Sequence, residues 1–409
     1  MVTTRSRVST DNGMKRFLLS LLFALAACGG AAPALVRGAA DDAGTSSPST
    51  DAGARGATAA DGAYESDDGG TGASDSAVGT ATGPDGSAIN GACPSGYATG
   101  TANGLPVCRA ASGIPLFTNV FLILMENTSL STLQPALADG GAAPNLGAMA
   151  RTYATGSDYH GVAHPSLPNY VALASGSTQG ITCDCEALPD AGACGGLCNA
   201  TFNVGTCSCA ASAQNLADQV ETAGKTWMAF GEDMGASTPC NLVDNGNYAV
   251  RHVPFLYFDD IQTNASRCAA HVVDFSLFNV ASPATFTYIA PNLIDDMHNP
   301  DPTNSTNIPD GDEWIGPQVK DIVASKAYGS GGLLVVVWDE DDLSGSGPLN
   351  TDDPVPIFVL SPYAKNGGYV STVQADHYSL LATIEDGLGL PRLGSAATAT
   401  PLSDYFPAN

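Results

Sequence analysis

Acidic or amide side chains follow four short, mostly apolar runs of the sequence. The runs and the polar pairs that follow them are 119–125 with Glu126 and Asn127, 226–231 with Glu232 and Asp233, 285–290 with Asp295 and Asp296 a few residues later, and 333–338 with Asp339 and Glu340. Runs of this kind are typical of strands buried on both faces of a parallel sheet. The carboxyl ends of such strands meet at the edge where α/β proteins bind their ligands. The acids should therefore converge, and their oxygens suit a metal or phosphoryl-transfer site.

A serine lies at the predicted start of a helix in the segment HPSLPNYVALASG, residues 164–176. Pro168 suits a first helical turn, because a proline lacks the N–H that would have no partner there. Ser166 then lies near a helix N-terminus, where free N–H groups and the helix dipole favour an anion. Two interpretations stay open from this stretch alone. Ser166 is a plain N-cap, or it is a nucleophile activated by a metal that the nearby carboxylates hold.

Helical and strand-like segments alternate along the globular part of the chain. A fifth apolar run at 355–360 ends at Ser361, and helical patterns occupy residues 212–224, 316–325 and 379–389. Alternating strands and helices predict an α/β fold with a mostly parallel central sheet and helices on both of its faces. We place this domain at residues 115–409.

The first 90 residues predict export and a tether. Lys15 and Arg16 precede a short apolar run and the tetrapeptide LAAC, which ends at Cys28. This order is that of a signal peptide. Because LAAC resembles a bacterial lipobox, residues 1–28 predict lipidation of Cys28 and an anchor in the cell envelope, at the outer membrane or in the periplasm, or an extracellular location. An ordinary signal peptide with a chance cysteine is the alternative. Residues 29–90 are rich in Ala, Gly, Asp, Ser and Thr, and we expect a disordered linker there.

The chain is strongly acidic. Its 409 residues carry a formal net charge of -26, and the sequence pI is about 4.2. Binding nucleic acid through its phosphate backbone needs basic patches, so we exclude nucleic acid as a partner. The acidic linker accounts for part of the charge, and the rest is compatible with bound metal. We expect a monomer.

The cysteines predict disulfides, because an even number remains in an exported chain once Cys28 is set aside. Of the 11 cysteines, Cys93 and Cys108 are expected to close a hairpin at residues 91–112, and Cys240 and Cys268 to pair across a loop. Six more lie between residues 183 and 209, in a Cys-rich insertion that we place at 181–210. We interpret these as disulfides of open connectivity, with a zinc knot as the alternative.

Seven segments together resemble one known family. In chain order they are LMENTSL (124–130), HPSLPNYVALASG (164–176), WMAFGEDM (227–234), YAVRHVPFLYFDDI (248–261), PNLIDDMHN (291–299), VVWDEDD (336–342) and DHYSLLATIEDGLGLP (376–391). They resemble the phosphoesterase family of bacterial and fungal acid phosphatases and phospholipases C, whose fold is that of the alkaline phosphatase superfamily. The resemblance spans about residues 117–392, and the Cys-rich insertion does not fit the family pattern.

The resemblance implies a role for each matching residue. Glu126 with Asn127, and Asp339 with Glu340, match two metal-binding pairs, and Ser166 matches the nucleophile that is transiently phosphorylated. Other residues are expected to hold the phosphate, protonate the leaving oxygen or bind a second metal: Asp296, His298 and His377, with His164 and Asn169 as phosphate-side contacts. The metal is expected to be a divalent ion, whose identity stays open among Mg, Ca, Mn and Zn.

A histidine is expected to protonate the leaving oxygen at mildly acidic pH. We favour His377 for this role, because it follows an aspartate and opens a helix, with His298 as the alternative. For His252, a structural role and a place in the pocket are equally open. The other acids nearby are expected to be supporting or solvated groups: Glu232, Asp233, Asp341 and Asp342.

The sequence thus predicts a lipid-anchored, exported, metal-dependent phosphomonoesterase of acid-phosphatase type. Its expected partners are a phosphomonoester substrate and, through Cys28, a membrane. The family's phospholipases C usually carry threonine at the position of Ser166 and are longer, which favours a phosphatase. A phospholipase C-type phosphodiesterase is the first alternative, and a non-catalytic surface lipoprotein that binds Ca²⁺ is the second.

Overall fold

An eight-stranded mixed sheet forms the centre of the part of the protein that the structure describes. This computed structural model describes residues 93–187, 210–298, 307–342 and 353–408. The predicted signal peptide, the predicted linker and most of the Cys-rich insertion lie outside these residues. None of the helices in the described ranges combines the length and apolar character needed to cross a membrane.

The strands of the described residues confirm the predicted sheet. They are β1 (Tyr97–Ala102), β2 (Leu105–Ala110), β3 (Val120–Met125), β4 (Ala154–Gly156), β5 (Tyr159–His160), β6 (Trp227–Gly231), β7 (Val272–Asp274), β8 (Phe286–Ala290), β9 (Leu333–Trp338), β10 (Ile357–Leu360), β11 (Val370–Ser371) and β12 (Ala375–Asp376). The order in the sheet is β11-β4-β10-β9-β3-β8-β6-β7. Strands β9, β3, β8, β6 and β7 are parallel, so the four strands with acids behind them end at one edge.

The direction of β10 corrects one expectation. The run at 355–360 was expected to be a further parallel strand, but β10 is antiparallel to both β9 and β4. All four residues of β10 are buried. A strand in the middle of a sheet is apolar on both faces whichever way it runs, so its composition does not indicate its direction. The chain therefore leaves β10 at the edge opposite to the acids.

Helices pack on this sheet. Those in the described residues are α1 (Leu130–Leu133), α2 (Pro144–Thr152), α3 (Ser166–Ser175), α4 (Leu216–Thr222), α5 (Asp259–Gln262), α6 (Ala265–His271), α7 (Ile308–Ala324), α8 (Lys326–Gly329) and α9 (His377–Leu388), with short 3₁₀ turns at Gln134–Leu137, Val250–His252, Pro254–Tyr257, Phe275–Leu277, Gly394–Ala397 and Ser403–Tyr405. The three predicted helices correspond to α4, α7 and α9. Helix α7 begins at Ile308, well before the predicted position 316, and Pro317 lies inside it rather than near its start. The predicted α/β fold class is confirmed.

Strands β3 and β9 form the rigid centre of the sheet. All six residues of each strand are buried, and the two strands pair in parallel from Val120 beside Leu333 to Met125 beside Trp338. Each fully buried aliphatic side chain contributes about 1.5–3 kcal/mol. This packing fixes the level at which both strands end, and it brings Glu126 and Asp339 side by side.

Two disulfides match the predicted pairs. Cys93 is bonded to Cys108 across the hairpin of β1 and β2, with Cα atoms 5.5 Å apart, and Cys240 is bonded to Cys268 at 5.4 Å. In the insertion, Cys183 and Cys185 are disulfide-bonded, which argues against a zinc knot at these two thiols. The other four cysteines of the insertion lie outside the described residues.

Candidate active site

Ser166 is the first residue of helix α3 and not its N-cap. Pro165 holds the N-cap position, where its side chain makes no capping hydrogen bond, and Pro168 lies in the first turn as expected. The N-cap interpretation of Ser166 is therefore wrong. The side chain is only 1% exposed, so its hydroxyl has to find its partners inside the protein.

Three acceptor oxygens surround the Ser166 hydroxyl. Its Oγ lies 3.0 Å from Glu126 Oε2, 3.0 Å from Glu340 Oε1 and 3.5 Å from Asn127 Oδ1. A hydroxyl has one proton and can donate it to one acceptor at a time. The set has more acceptors than donors, which is the chemistry of a group of oxygens that holds a cation. We call Glu126, Asn127, Ser166, Asp339 and Glu340 the Ser166 cluster.

Two backbone N–H groups fix the orientation of Asp339. Its Oδ1 accepts hydrogen bonds from the amides of Asn127 at 2.9 Å and Glu340 at 2.7 Å. Asn127 has a φ of +34°, in the left-handed region that asparagine tolerates better than most residues. The other carboxylate oxygen, Oδ2, is buried and accepts no hydrogen bond from the described residues. One oxygen of Asp339 is thus held by the backbone while the second is left for another partner.

The charges of the Ser166 cluster fit a divalent cation. Burial raises the pKa of Asp339 well above its usual range, and the charges of Glu126 and Glu340 raise it further. Burial also raises the pKa of Glu340 to about 7, although a hydrogen bond from His164 opposes the shift. Within the described ranges, no three His, Cys, Asp or Glu side chains form a metal cage by themselves. The donors that the Ser166 cluster offers are all oxygens, including those of Asn127 and Ser166, and such donors suit hard ions such as Mg²⁺, Ca²⁺ or Mn²⁺.

His252 and Tyr170 contact the same carboxylate. His252 Nε2 lies 3.1 Å from Glu126 Oε1, and Tyr170 Oη donates a hydrogen bond to that oxygen at 2.5 Å. The two rings are stacked with centroids 5.4 Å apart. His252 therefore lines the site. Tyr170 is four residues after Ser166 on α3, and this helical spacing was the signal that could have identified it.

Asp296 and His298 approach from the loop after β8. His298 Nδ1 lies 3.3 Å from Glu126 Oε2, and its side chain is 30% exposed. Asp296 is fully buried, its Oδ1 accepts a hydrogen bond from the His298 amide at 2.9 Å, and its Oδ2 has no hydrogen bond from the described residues. Burial raises the pKa of Asp296 to about 6, with Glu126 adding to the shift and His252 opposing it. Burial lowers the pKa of His298, but the hydrogen bond and charge of Glu126 outweigh it, so that pKa is raised.

His164 pairs with the acids that follow β9. Its Nδ1 lies 2.5 Å from Glu340 Oε2, and its Nε2 lies 3.4 Å from Asp341 Oδ1. Burial lowers the pKa of His164, but these two carboxylates outweigh it and raise the pKa. Asp341 was expected to be a solvated loop acid, and this is wrong, because it is 3% exposed. Asp342 accepts a hydrogen bond from Ser129 at 2.6 Å and is also tied to the protein.

Two predicted site residues have all their polar atoms engaged by the protein. The ring of His377 is fully buried between Tyr159 Oη at 2.9 Å and the Asp339 carbonyl at 2.6 Å, and burial lowers its pKa to about 4. The amide of Asn169 accepts hydrogen bonds from Val162 N and Ala163 N and donates to the Ala163 carbonyl and to Glu340 Oε2. These contacts hold the loop before Ser166 and the backbone of Asp339 in place.

A second group of acids lies at the same sheet edge. Glu232 accepts hydrogen bonds from the Trp314 indole at 2.8 Å and from Asn292 N at 3.0 Å, and Asn292 Nδ2 donates to Asp233 Oδ2 at 2.9 Å. Asp295 adds negative charge beside Glu232. We call Glu232, Asp233, Asn292, Asp295 and Trp314 the Glu232 cluster. The four acid-tipped strands thus form two groups rather than one, since Asp295 joins this cluster while Asp296 faces His252.

Comparisons with known proteins identify the family of this chain. The profile of the phosphoesterase family matches residues 139–391. A phosphatidylinositol-3-phosphatase of Mycobacterium tuberculosis is 32% identical over 304 residues, which cover 73% of this chain and 85% of that protein. A phosphate-repressible acid phosphatase of Penicillium chrysogenum is 25% identical over 288 residues, which cover 68% of this chain and 60% of that protein. This chain therefore spans less than two thirds of the fungal enzyme.

A solved structure is similar to this chain at a low level. A protein in the alkaline phosphatase superfamily from Vibrio parahaemolyticus has 11% sequence identity and a TM-score of 0.45, over 78% of this chain and 75% of that one. The family assignment depends on the sequence matches, since the profile covers more than half of the chain. The resemblance found in the sequence is confirmed: the chain belongs to the phosphoesterase family and is a phosphoric ester hydrolase.

Proposed function

We propose that this chain is a metal-dependent phosphomonoesterase of acid-phosphatase type that acts through a phosphorylated Ser166. One observation carries the proposal. The buried Ser166 hydroxyl lies at the start of α3 and 3.0 Å from carboxylate oxygens of both Glu126 and Glu340. A serine with only a packing role has no need of two carboxylates, whereas a nucleophile needs an acceptor for its proton.

The cofactor in this proposal is a divalent cation held by Glu126, Asn127, Asp339 and Glu340 together with Ser166. When bound, such an ion supplies positive charge that lowers the pKa of the serine hydroxyl and offsets the charge of the phosphoryl group. The carboxylates alone would repel a phosphate dianion. The buried Oδ2 of Asp339, which accepts no hydrogen bond from the described residues, supports this role.

The reaction has two displacements at phosphorus. Ser166 Oγ attacks, its bond to phosphorus forms, and the bond from phosphorus to the leaving oxygen breaks. The serine proton passes to a carboxylate of the Ser166 cluster, and the leaving oxygen takes a proton from a general acid. Water then attacks the phosphoserine, which releases inorganic phosphate and restores the serine hydroxyl. The helix dipole at the start of α3 favours the negative charge of the phosphoryl oxygens.

We assign the general acid to His298 rather than to His377. His298 lies beside Glu126, is partly exposed and has a raised pKa, so it carries a proton at mildly acidic pH. Both ring nitrogens of His377 are engaged by Tyr159 and Asp339, and its lowered pKa keeps the ring neutral. His377 then acts as a positioning residue, because it holds the carbonyl of a proposed metal-binding residue.

The test is a substrate panel assayed on purified protein before and after removal of metal with a chelator. We expect turnover of p-nitrophenyl phosphate that is lost on chelation and restored by one of Mg²⁺, Ca²⁺, Mn²⁺ or Zn²⁺. Turnover of phosphatidylcholine without turnover of any phosphomonoester would replace the proposal with the phospholipase C alternative. Unchanged turnover in the metal-free protein would refute the metal dependence.

A phosphorylated lipid belongs in the same panel. The relative from Mycobacterium tuberculosis is named phosphatidylinositol-3-phosphatase. We propose phosphatidylinositol 3-phosphate as a candidate substrate, because its phosphate at position 3 is a monoester carried at a membrane surface. A lipid anchor at Cys28 would place the enzyme at such a surface. Radiolabelled palmitate incorporated into the full chain but not into Cys28→Ser would support the anchor, and equal labelling of both would argue against it.

A further inference from the structure

The Cys-rich insertion reaches the helix that carries Ser166. Asp184 lies between Cys183 and Cys185, which are both disulfide-bonded. Its Oδ1 accepts a hydrogen bond from Leu167 N at 2.9 Å, and Leu167 is the second residue of α3. A disulfide-bonded segment therefore holds a carboxylate one residue away from the proposed nucleophile.

Arg251 lies on the other side of this carboxylate. Its Nε is 3.8 Å from Asp184 Oδ2, and its Nη1 is 3.8 Å from Asp244 Oδ2. Both distances exceed those of hydrogen bonds, which are about 2.7–3.2 Å. The Nε is buried and donates no hydrogen bond to the described residues, while the whole side chain is 18% exposed. The guanidinium is thus confined by two acids and keeps donors for a further partner.

Arg251 is also connected to the Ser166 cluster through the residue that follows it in the chain. The next residue, His252, lies 3.1 Å from Glu126 Oε1, in the same 3₁₀ turn. Burial lowers the pKa of Arg251, but the charges of Glu126, Asp184 and Asp244 outweigh it. The positive charge of the same guanidinium lowers the pKa of His298, against the larger effect of Glu126. Arg251 is therefore near enough to act on the charges of one proposed metal-binding carboxylate and of the proposed general acid, and Asp184 connects it to the residue after the proposed nucleophile.

We propose that Arg251 binds the non-bridging oxygens of the substrate's phosphoryl group and that Asp184 positions it. This inference rests on the proposed function. A guanidinium stays charged and offers a planar set of donors that matches phosphate oxygens. A phosphomonoester carries two negative charges on three peripheral oxygens, and a diester carries one charge on two. A fixed cation beside these oxygens favours the monoester, so Arg251 is also a specificity-determining residue.

The main experiment compares two esters on three variants of the full chain. The substrates are p-nitrophenyl phosphate and bis(p-nitrophenyl) phosphate, and the variants are Arg251→Gln, Arg251→Lys and the control Arg151→Gln. Arg151 pairs with Asp139 at the surface, and its side chain is 56% exposed. We expect Arg251→Gln to lower kcat/KM on the monoester by about 30- to 100-fold, and by only a few-fold on the diester. Arg251→Lys should lose less, and Arg151→Gln should match wild type.

The role of Asp184 is tested through Arg251. Asp184→Asn keeps an acceptor for Leu167 N and removes the charge beside the guanidinium, so we expect KM for the monoester to rise by about three- to tenfold with kcat nearly unchanged. In the Arg251→Gln background, Asp184→Asn should add nothing. If the two effects multiply instead, or if Asp184→Asn changes only the thermal midpoint, Asp184 does not act through Arg251.

Three outcomes would overturn the proposal for Arg251. One is a folded Arg251→Gln protein with monoester turnover within about twofold of wild type, and another is an equal loss on both esters. If Arg251→Gln does not fold, Arg251→Lys decides by the second comparison, because lysine keeps the charge but lacks the planar set of donors. If wild type hydrolyses neither ester, the proposed function fails, and calorimetric binding of inorganic phosphate then tests Arg251 separately. Equal phosphate affinity in wild type and Arg251→Gln would be the third overturning result.

Discussion

The Ser166 cluster and the Glu232 cluster lie at the same edge of one sheet and contain similar groups. Each has buried or half-buried carboxylates at the ends of parallel strands. They differ in the supply of hydrogen-bond donors. Both oxygens of Glu232 are occupied, by the Trp314 indole and by the Asn292 amide. In the Ser166 cluster, Asp339 Oδ2 accepts no hydrogen bond from the described residues, and one hydroxyl faces three acceptors.

The supply of hydrogen-bond donors distinguishes a structural acid cluster from a reactive one. Burial alone does not separate them, because it raises the pKa of Glu232 and that of Glu340 alike, each to about 7. A carboxylate whose oxygens are all satisfied by protein donors is stable without a ligand. A carboxylate that lacks donors has to be protonated or to meet a cation.

The largest effect is expected for Ser166→Ala. Loss of the attacking oxygen should lower kcat on p-nitrophenyl phosphate by at least about a thousandfold. The thermal midpoint should stay close to that of wild type, because alanine fits the space and the helix needs no side-chain cap at this position. A fluorescence melting curve supplies the control for folding. Phosphatase activity near the wild-type level in a folded Ser166→Ala protein would refute the serine mechanism.

The next effect compares one acid from each cluster. Asp339→Asn should lower kcat/KM by about a hundredfold and reduce the metal content of the purified protein, because it neutralises an oxygen that has no protein donor. Glu232→Gln is the matched variant, and it should keep kcat/KM within about twofold of wild type. Elemental analysis and initial rates measure both quantities. Similar losses in the two variants would mean that the edge works as one site.

A smaller effect is expected when one donor is removed from each cluster. Tyr170→Phe deletes the hydrogen bond to Glu126 and should reduce kcat/KM by about tenfold. Trp314→Phe deletes the donor to Glu232 and should lower the thermal midpoint while leaving kcat/KM unchanged. Steady-state kinetics and melting curves on both proteins test this reciprocal pattern. Loss of activity in Trp314→Phe without loss of stability would contradict it.

The smallest effect is expected in the pH dependence of the thermal midpoint of Glu232→Gln relative to wild type. Burial raises the pKa of Glu232 from 4.5 in the unfolded chain to about 7 in the folded protein. The proton on Glu232 therefore stabilises the fold fully below pH 4.5, and this contribution is lost as pH rises through 7. Glutamine does not titrate, so the midpoint of the variant relative to wild type should rise by about 1–3 °C between pH 5 and pH 8. A constant difference would show that Glu232 does not titrate in this range.

The sequence predicted best those features that constrain residue type directly, which are the buried strands and the start of helix α3. Strands β3 and β9 were predicted from their apolar runs, and their parallel pairing puts Glu126 and Asp339 side by side. Ser166 was placed at a helix start from Pro168. These predictions succeeded because burial on both faces and the lack of an N–H in proline leave direct traces in residue type.

Other features have no such trace. The direction of β10 depends on how the chain returns to the sheet, and its apolar residues are the same for either direction. In the sequence, Asp341 and Asp342 cannot be distinguished from the acids of a solvated loop. In the folded protein His164 lies beside Asp341, and Ser129 donates a hydrogen bond to Asp342. Asp295 joins the Glu232 cluster while the adjacent Asp296 faces His252, because the chain turns here and the amides of both acids donate to the Asn292 carbonyl. His377 was chosen for its position after Asp376, and only the structure shows both of its nitrogens engaged.

The reversed direction of β10 also provides an attachment point far from the reactive edge of the sheet. The chain leaves this strand on the side away from Ser166 and reaches an exposed turn at Asn366 and Gly367. A fluorophore or surface linker joined to a cysteine at position 366 would be carried on the far side of the sheet from the substrate. Immobilised in this way, the enzyme would present its reactive edge outward to a lipid vesicle, and the support would not obstruct it.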